Sequence, residues 1–242
     1  VRTIEKKYLM KKRLLIFVFF TIGVIPITNS QQKEKDIRQG PLAIEGWFFR
    51  AISGYPVSIT FEPLVLFKNG DYFEVGEEPL DEVEIGTSKQ QKPKAWGKWQ
   101  LKNGVYYLTN YKGKTVDYKL GSGNWFPAYA YHKSLPLKNV YKRTSGGDYG
   151  NGTHALIINK ISFLDNQYFE EGTNSGISTP SSAAWKKSKN AGTYTIDKHT
   201  LTLRYNDGRE VRRSFAVGAS GSPARPSMNM LFIGGDAFVD AD

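Results

Sequence analysis

Val65-Leu66-Phe67-Lys68-Asn69-Gly70-Asp71-Tyr72-Phe73-Glu74-Val75-Gly76 recurs as Ile161-Ser162-Phe163-Leu164-Asp165-Asn166-Gln167-Tyr168-Phe169-Glu170-Glu171-Gly172, at a constant offset of 96. Phe, Tyr, Phe, Glu and Gly coincide. Further on, Gly97-Lys98-Trp99-Gln100-Leu101 pairs with Gly192-Thr193-Tyr194-Thr195-Ile196 at an offset of 95. Similarity on this interval marks two copies of one supersecondary unit. The runs are short, rich in aromatic and β-branched residues, and bounded by Gly, Asn, Asp and Pro, so the repeated unit is a β meander.

The turns sharpen that expectation. Asn103-Gly104 lies between two alternating runs, the preferred chemistry of a tight type I′ hairpin, and Asn69-Gly70 and Asn206-Asp207-Gly208 repeat it. Around the last, Leu201, Leu203 and Tyr205 share one face and Thr200, Thr202 and Arg204 the other, giving one packed and one wet side. The expected fold is all-β: two similar antiparallel meander units, each a barrel or half-barrel. The first unit is placed at 44–143 and the second at 153–242, with 144–152 as a glycine-rich flexible joint. Gly76 to Ala95 and Gly172 to Asn190 are expected to be long loops, the first with room for a turn of helix between Glu77 and Lys92.

The N-terminus predicts export. Lys11-Lys12-Arg13 precede an apolar run from Leu14 to Ile25, too short for a membrane-spanning helix, and small residues follow at Thr28-Asn29-Ser30. Residues 1–30 are therefore expected to be a signal peptide and 31–43 a disordered polar linker. The expected location is the periplasm or the extracellular space, with only transient membrane passage. The leader holds six of the 33 Lys and Arg but one of the 23 acids, so the rest of the chain is about +5 rather than +10. That halves the basic signal that would otherwise point to nucleic acid, and no nucleic-acid partner is expected. The sequence contains no cysteine, which removes thiol nucleophiles, thiolate metal sites and redox pairs together.

Phe67-Lys68-Asn69-Gly70-Asp71-Tyr72, Gly97-Lys98-Trp99, and Gly192-Thr193-Tyr194 with Leu201-Thr202-Leu203-Arg204-Tyr205-Asn206-Asp207-Gly208 resemble the repeat of bacterial exported proteins loosely called lipocalin-like. Leu231-Phe232-Ile233-Gly234-Gly235 resembles their closing strand. The resemblance covers most of 45–240 and implies an antiparallel barrel or half-barrel; it implies no activity.

Candidate chemistry is sparse. His132, His154 and His199 show no metal-ligand spacing, and His199 is expected in a solvated turn. Glu77, Glu78, Asp81, Glu82 and Glu84 form the densest charge cluster, without the alternating spacing of a calcium loop. Gly218-Ala219-Ser220-Gly221-Ser222 misses the nucleophile-elbow pattern at its last position. No metal or cofactor is implied. The speculative ligand contacts are aromatic: Trp125, Phe126, Tyr129 and Tyr131, set against the alternative that they cap the core between the copies, and Trp185 beside Lys186, Lys187 and Lys189. The leading expectation is a non-enzymatic binding or envelope-associated protein that holds a small apolar ligand or a glycan at its loops or barrel mouth. A hydrolase using the Glu77–Glu84 carboxylates, and a structural module pairing through a sheet edge, are the alternatives.

Overall fold

The computed structural model describes residues 43–53, 59–137, 140–165 and 167–241. The expected leader, and the linker apart from Ala43, lie outside the described residues. The chain is all-β, as the turn chemistry requires, and its strands form two antiparallel sheets.

The first sheet contains β1 (Ile44–Ser53), β2 (Ile59–Phe67), β3 (Asp71–Glu74), β4 (Trp96–Lys102), β5 (Val105–Asn110), β6 (Thr115–Lys119) and β7 (Trp125–Pro127), in the order β6-β5-β4-β3-β2-β1-β7. Between β3 and β4 lie the one-turn-plus helix α1 (Ile85–Gln91) and a short 3₁₀ turn, Pro93–Ala95. The Glu84 carboxylate accepts from the Thr87 N–H and caps α1. The second sheet is an eight-stranded closed barrel: β8 (Val140–Asp148), β9 (His154–Leu164), β10 (Tyr168–Thr179), β11 (Ser182–Asp197), β12 (Thr200–Tyr205), β13 (Glu210–Ser220), β14 (Arg225–Ile233) and β15 (Asp236–Asp240). Each strand pairs with its sequence neighbours and β15 returns to β8 at Val239↔Lys142 and Asp240↔Tyr141, so it is an up-and-down barrel.

Two expectations about the connections need correcting. The segment at 144–152 is no joint: Val140–Asp148 is a barrel strand that pairs with β9 from Val140↔Ser162 to Asp148↔His154. The second unit therefore begins at the end of the first unit's expected span, and only the tip at 149–153 is a turn. Likewise Gly172 to Asn190 is not a loop. It is the far half of a long β10–β11 hairpin, paired through to Thr179↔Ser182. Gly, Asn, Ala and Lys are poor strand formers by propensity, but continuous cross-strand pairing on β9 overrides propensity.

Three cores hold these sheets. The barrel interior is filled by Tyr141, Ile161, Phe163, Phe169, Tyr194, Leu201, Leu203, Phe215, Val217 and Leu231. The first sheet curls around its own core of Leu64, Leu66, Tyr72, Leu108, Tyr118 and Trp125, and the Trp125 and Tyr118 rings from its two outer strands lie 5.1 Å apart. The third core joins the two. Trp47, Phe49, Val65, Phe67, Phe73 and Trp96 on the outside of the first sheet pack on Ala216 and Phe232 on the outside of the barrel. Leu64-Val65-Leu66-Phe67 is thus buried on both faces at once, which is why it reads as an unbroken apolar run.

The repeat is real, but its register differs from the sequence match. Leu66↔Tyr72 and Phe163↔Phe169 are the equivalent inward-pointing pairs, and these are related by 97, not 96. A one-residue slip moves every side chain to the opposite face. The coincidence of Phe67 with Phe163 therefore aligns an outward residue with an inward one. On β4–β5 and β11–β12 the offset of 95 holds: Trp99↔Leu108 matches Tyr194↔Leu203. The Trp99 N–H donates to the Gly70 carbonyl at 2.8 Å as the Tyr194 N–H donates to Gln167 at 2.9 Å.

Trp125 is wholly buried, stacked on Phe48 at 5.0 Å, and its indole Nε1 has no acceptor among the described residues. A buried unpaired donor costs about 1–3 kcal/mol. Trp125→Phe removes that donor while keeping an aromatic ring. It is expected to cost far less than Trp125→Ala, for which about 3–5 kcal/mol is the ordinary range; urea midpoints of the two variants check this.

Candidate polar cavity in the barrel mouth

Along β8, β9 and β10 the inward positions change character partway up the barrel. Tyr141 and Ile161 belong to the apolar core, whereas the next inward residues are Arg143, Asn159, Glu171 and Thr173. Arg213 on β13, Asp236 on β15, and Ser188 and Asn190 on β11 complete the ring. Together they line a cavity of about 270 Å³ over the filled lower half. Glu77 reaches it from the first unit. Its backbone carbonyl accepts from the Ser214 N–H at 2.9 Å, and the Gly76 carbonyl accepts from the Ser214 hydroxyl. Gly234, at φ 61°, turns directly beneath the Glu77 carboxylate, where an added Cβ would stand 2.4 Å from Oε2. A side chain there would displace the Glu77 carboxylate from its place over Gly234.

The charges are paired but not saturated. Arg143 bonds Asp236 at 2.9 Å; Arg213 lies 3.5 Å from Glu171 and 3.7 Å from Glu77; and the Tyr205 hydroxyl donates to Glu171 at 2.6 Å. Burial raises the carboxyls of Glu77 and Asp236 above their ordinary values, with Arg213 and Arg143 offsetting part of the effect. Burial, followed by the Glu171 carboxylate, pushes the Tyr205 phenol up to about 12.

The first unit contains the same construction in closed form. Arg50↔Glu62 and Leu64↔Glu74 are cross-strand partners, as are Arg143↔Asn159 and Ile161↔Glu171 in the barrel. Arg50 donates to Glu62 at 3.0 Å and also bonds Glu74, making a half-buried triad. Burial opposes the Arg50 charge, but Glu74 and Glu62 more than offset it. In the barrel, Asn159 stands where Glu62 would be and takes a hydrogen bond from Thr173 at 2.8 Å. Arg143 is left to Asp236, and the space stays open. This duplicated Arg–Glu element escapes the sequence match because the 96 offset aligns Glu74 with Glu170, an outward residue bonded to Lys189, instead of with Glu171. Aligning the hairpins by their turns, with Asn69-Gly70 one residue later, would have found it.

The residues singled out in the sequence lie elsewhere. Trp125 is in the first unit's core, Phe126 packs on the joint core, and Tyr129 and Tyr131 pack on the barrel interior. The last two bridge to Val217 and to Lys198, at the end of the barrel opposite the cavity. None of the four lines the cavity. Trp185 is 65% exposed on the outer wall. His199 is not a solvated turn residue: its ring stacks on Trp47 at 4.0 Å and its Nδ1 lies 2.9 Å from the Phe215 carbonyl oxygen. Of the acidic cluster, Glu78 faces Lys92 at 3.4 Å, Asp81 and Glu82 pair with Arg212, and Glu84 caps α1. Of the five, Glu77 is the one in the cavity lining among the described residues. Among the described residues no group of three His, Asp or Glu is placed to hold a metal ion, and no helix is long and apolar enough to cross a membrane.

Protein-family models, characterised proteins and solved structures were all compared with the chain, and none matches.

The raised carboxyls set a pH dependence. Glu74, Glu77 and Asp236 are all pushed up mainly by burial, so between their ordinary and raised values the folded chain binds more protons than the unfolded one. Stability then falls as pH rises through that window. Asp71 acts oppositely at lower pH. Burial alone would raise it, but hydrogen bonds from Lys89 and Lys98 hold it below its ordinary value, so its contribution is lost as pH falls through that range. The melting temperature is expected to peak toward the acid side of the roughly pH 5 to 8 range in which most proteins are most stable. Combining Glu77→Gln with Asp236→Asn should flatten the neutral limb, and an unchanged profile would refute these assignments.

Proposed function

We propose that this is an exported, non-enzymatic binding module whose barrel mouth holds a small polyhydroxylated ligand, of the size of one sugar. One observation carries the reading: a cavity of about 270 Å³ lined by guanidinium, amide, hydroxyl and carboxylate groups, set over an interior packed with side chains. A sugar needs donors and acceptors together, and this ring supplies both. A fatty chain would need an apolar void, and the space below the ring is occupied by Phe163, Phe169, Tyr194 and Phe215. Of the two ligand classes expected for a barrel mouth, the glycan is therefore the one supported. Export, from the basic and apolar N-terminal run, and the likeness to lipocalin-like repeat proteins belong to the same proposal, and the two-unit β architecture supports them.

The test is an NMR titration of the chain with monosaccharides and disaccharides alongside fatty acids. Sugar-dependent shifts are expected at Asn159, Thr173, Asn190 and Arg213, whereas silence across all sugars would remove the proposal. Asn159→Glu should re-create the closed triad of the first unit and abolish those shifts without lowering the melting temperature.

Hydrolysis is the second reading, because Glu77, Glu171 and Asp236 gather in one cavity and two of them have raised carboxyls, a feature common at catalytic sites. It requires product release from an oligosaccharide that stops in Glu77→Gln. Binding without turnover leaves the first reading standing.

A further inference from the structure

The outer wall of the barrel carries a second groove, which adjoins the cavity and shares Lys160 and Glu171 with its lining. Beyond Gly192, strand β11 has no partner on its far side, and β8, β9, β10 and β11 project as a four-stranded wall. On its outer face the cross-strand rows read Lys142–Lys160–Gly172–Lys189, then Thr144–Ile158–Asn174–Lys187, then Gly146–Leu156–Gly176–Trp185. Gly172 has no side chain to fill the middle of the first row. There a groove of about 350 Å³ opens, lined by Lys160, Lys187 and Lys189 together with Ser162, Asn174, Glu170 and the edge of Glu171. Lys189 is neutralised by Glu170 at 2.8 Å, whereas Lys160 and Lys187 are exposed and pair with no carboxylate among the described residues.

Trp185 lies two residues from Lys187, about 7 Å along the strand. Its ring lies on the Gly176 backbone, since a Cβ on Gly176 would stand 2.4 Å from it. One ring face is held by the sheet while the side chain stays 65% exposed. A rigid aromatic plate beside uncompensated ammonium groups suits a sugar ring that bears a negative charge.

Comparison with the first unit shows that this surface is distinct from a packing face. The positions equivalent to Lys142, Lys160 and Gly172 are Phe49, Pro63 and Val75, all buried, with Phe49 and Val75 in the core that joins the two units. In the barrel the same face carries lysines and remains uncovered.

We propose that the outer wall of β9–β11 binds an acidic polysaccharide carrying one carboxylate per sugar, stacking a ring on Trp185 and placing carboxylates on Lys187 and Lys160. The Glu170 carboxylate on the groove floor disfavours densely charged chains such as sulfated glycans or nucleic acid, while it and Asn174 accept and donate to sugar hydroxyls.

Polygalacturonate oligomers are the probe, measured by calorimetry on the full chain at low and raised salt. Binding that weakens with salt is expected, with little response to neutral dextran, heparin, single-stranded DNA or anionic vesicles. Trp185→Ala should weaken it roughly three- to tenfold, as for an aromatic stacking contact, and Lys160→Ala with Lys187→Ala should abolish it, with melting temperatures unchanged. Small-sugar shifts at the barrel mouth should persist in Trp185→Ala, since Trp185 lies outside the cavity lining, so failure of one site is separable from failure of the other. Equal binding to vesicles or DNA, or polygalacturonate binding untouched by these variants, would overturn the assignment and leave the lysines as protection of an unpaired strand edge.

Discussion

Phe232→Ala is expected to destabilise the entire molecule, not the barrel alone, by about 3–5 kcal/mol. Phe232 points outward from β14, yet is 1% exposed, because it packs at 4.9 Å on Phe49 of the first sheet and sits across from the fully buried Ala216. Typical domains have only about 5–15 kcal/mol of total stability. Truncating the largest fully buried side chain that the barrel offers to the joint core therefore removes a large share of it. The expected denaturation curve loses its single steep transition. The first unit, whose outer face would be left partly uncovered, should melt ahead of the barrel, whose own interior is untouched. Tryptophan fluorescence reports the first event chiefly through Trp47, Trp96, Trp99 and Trp125, and far-ultraviolet dichroism follows both. One coincident transition at the original midpoint would show that the units do not depend on this contact.

Gly192→Val is the second substitution with a large expected effect. Gly192 is where β11 bends from the projecting wall into the barrel, opposite Tyr205. A Cβ there would stand 1.9 Å from the Arg204 carbonyl oxygen, and 2.8 Å from the Tyr205 Cα. Both obstacles are backbone, so no rotamer change relieves the clash. Ordinary overpacking costs about 1–3 kcal/mol, and this replacement should exceed it by opening the β11–β12 ladder. Gly97 in the first unit makes the same approach, with a Cβ 2.5 Å from the Thr109 carbonyl oxygen and 2.2 Å from the Tyr72 ring. The glycine is a shared requirement of the bend, as expected where strands turn a barrel corner. Hydrogen exchange should show the amides of Arg204 and Asn206, which face β11, losing protection in Gly192→Val while those of β6 keep theirs.

How far the sequence led depends on which residue is asked. The alternation in Leu201–Tyr205 and the Asn-Gly and Asp-Gly turns predicted antiparallel hairpins, and those hairpins are present. The repeat predicted two like units, and the hydrogen bonds from Trp99 to Gly70 and from Tyr194 to Gln167 show them built alike. The segments 144–152 and Gly172–Asn190 misled because glycine, serine and threonine look like linker composition. Their strand state is imposed by neighbours on β9, a long-range pairing that no local window contains. The cavity was missed for a different reason. Arg143, Asn159 and Glu171 are far apart in sequence and unremarkable singly; only the barrel's inward register gathers them. The aromatic run Trp125–Tyr131 drew attention by density, but large rings are most often spent on packing, and here they close one core and plug the far end of another.

The most direct test of the duplicated architecture is the cross-strand register in the two equivalent hairpins, read from interstrand Hα and amide nuclear Overhauser contacts. The account predicts contacts that place Leu66 opposite Tyr72 and Phe163 opposite Phe169. Contacts placing Ile161 opposite Phe169 would restore the 96-residue match, move Glu171 from Ile161 to a place opposite Asn159, and contradict the cavity described above.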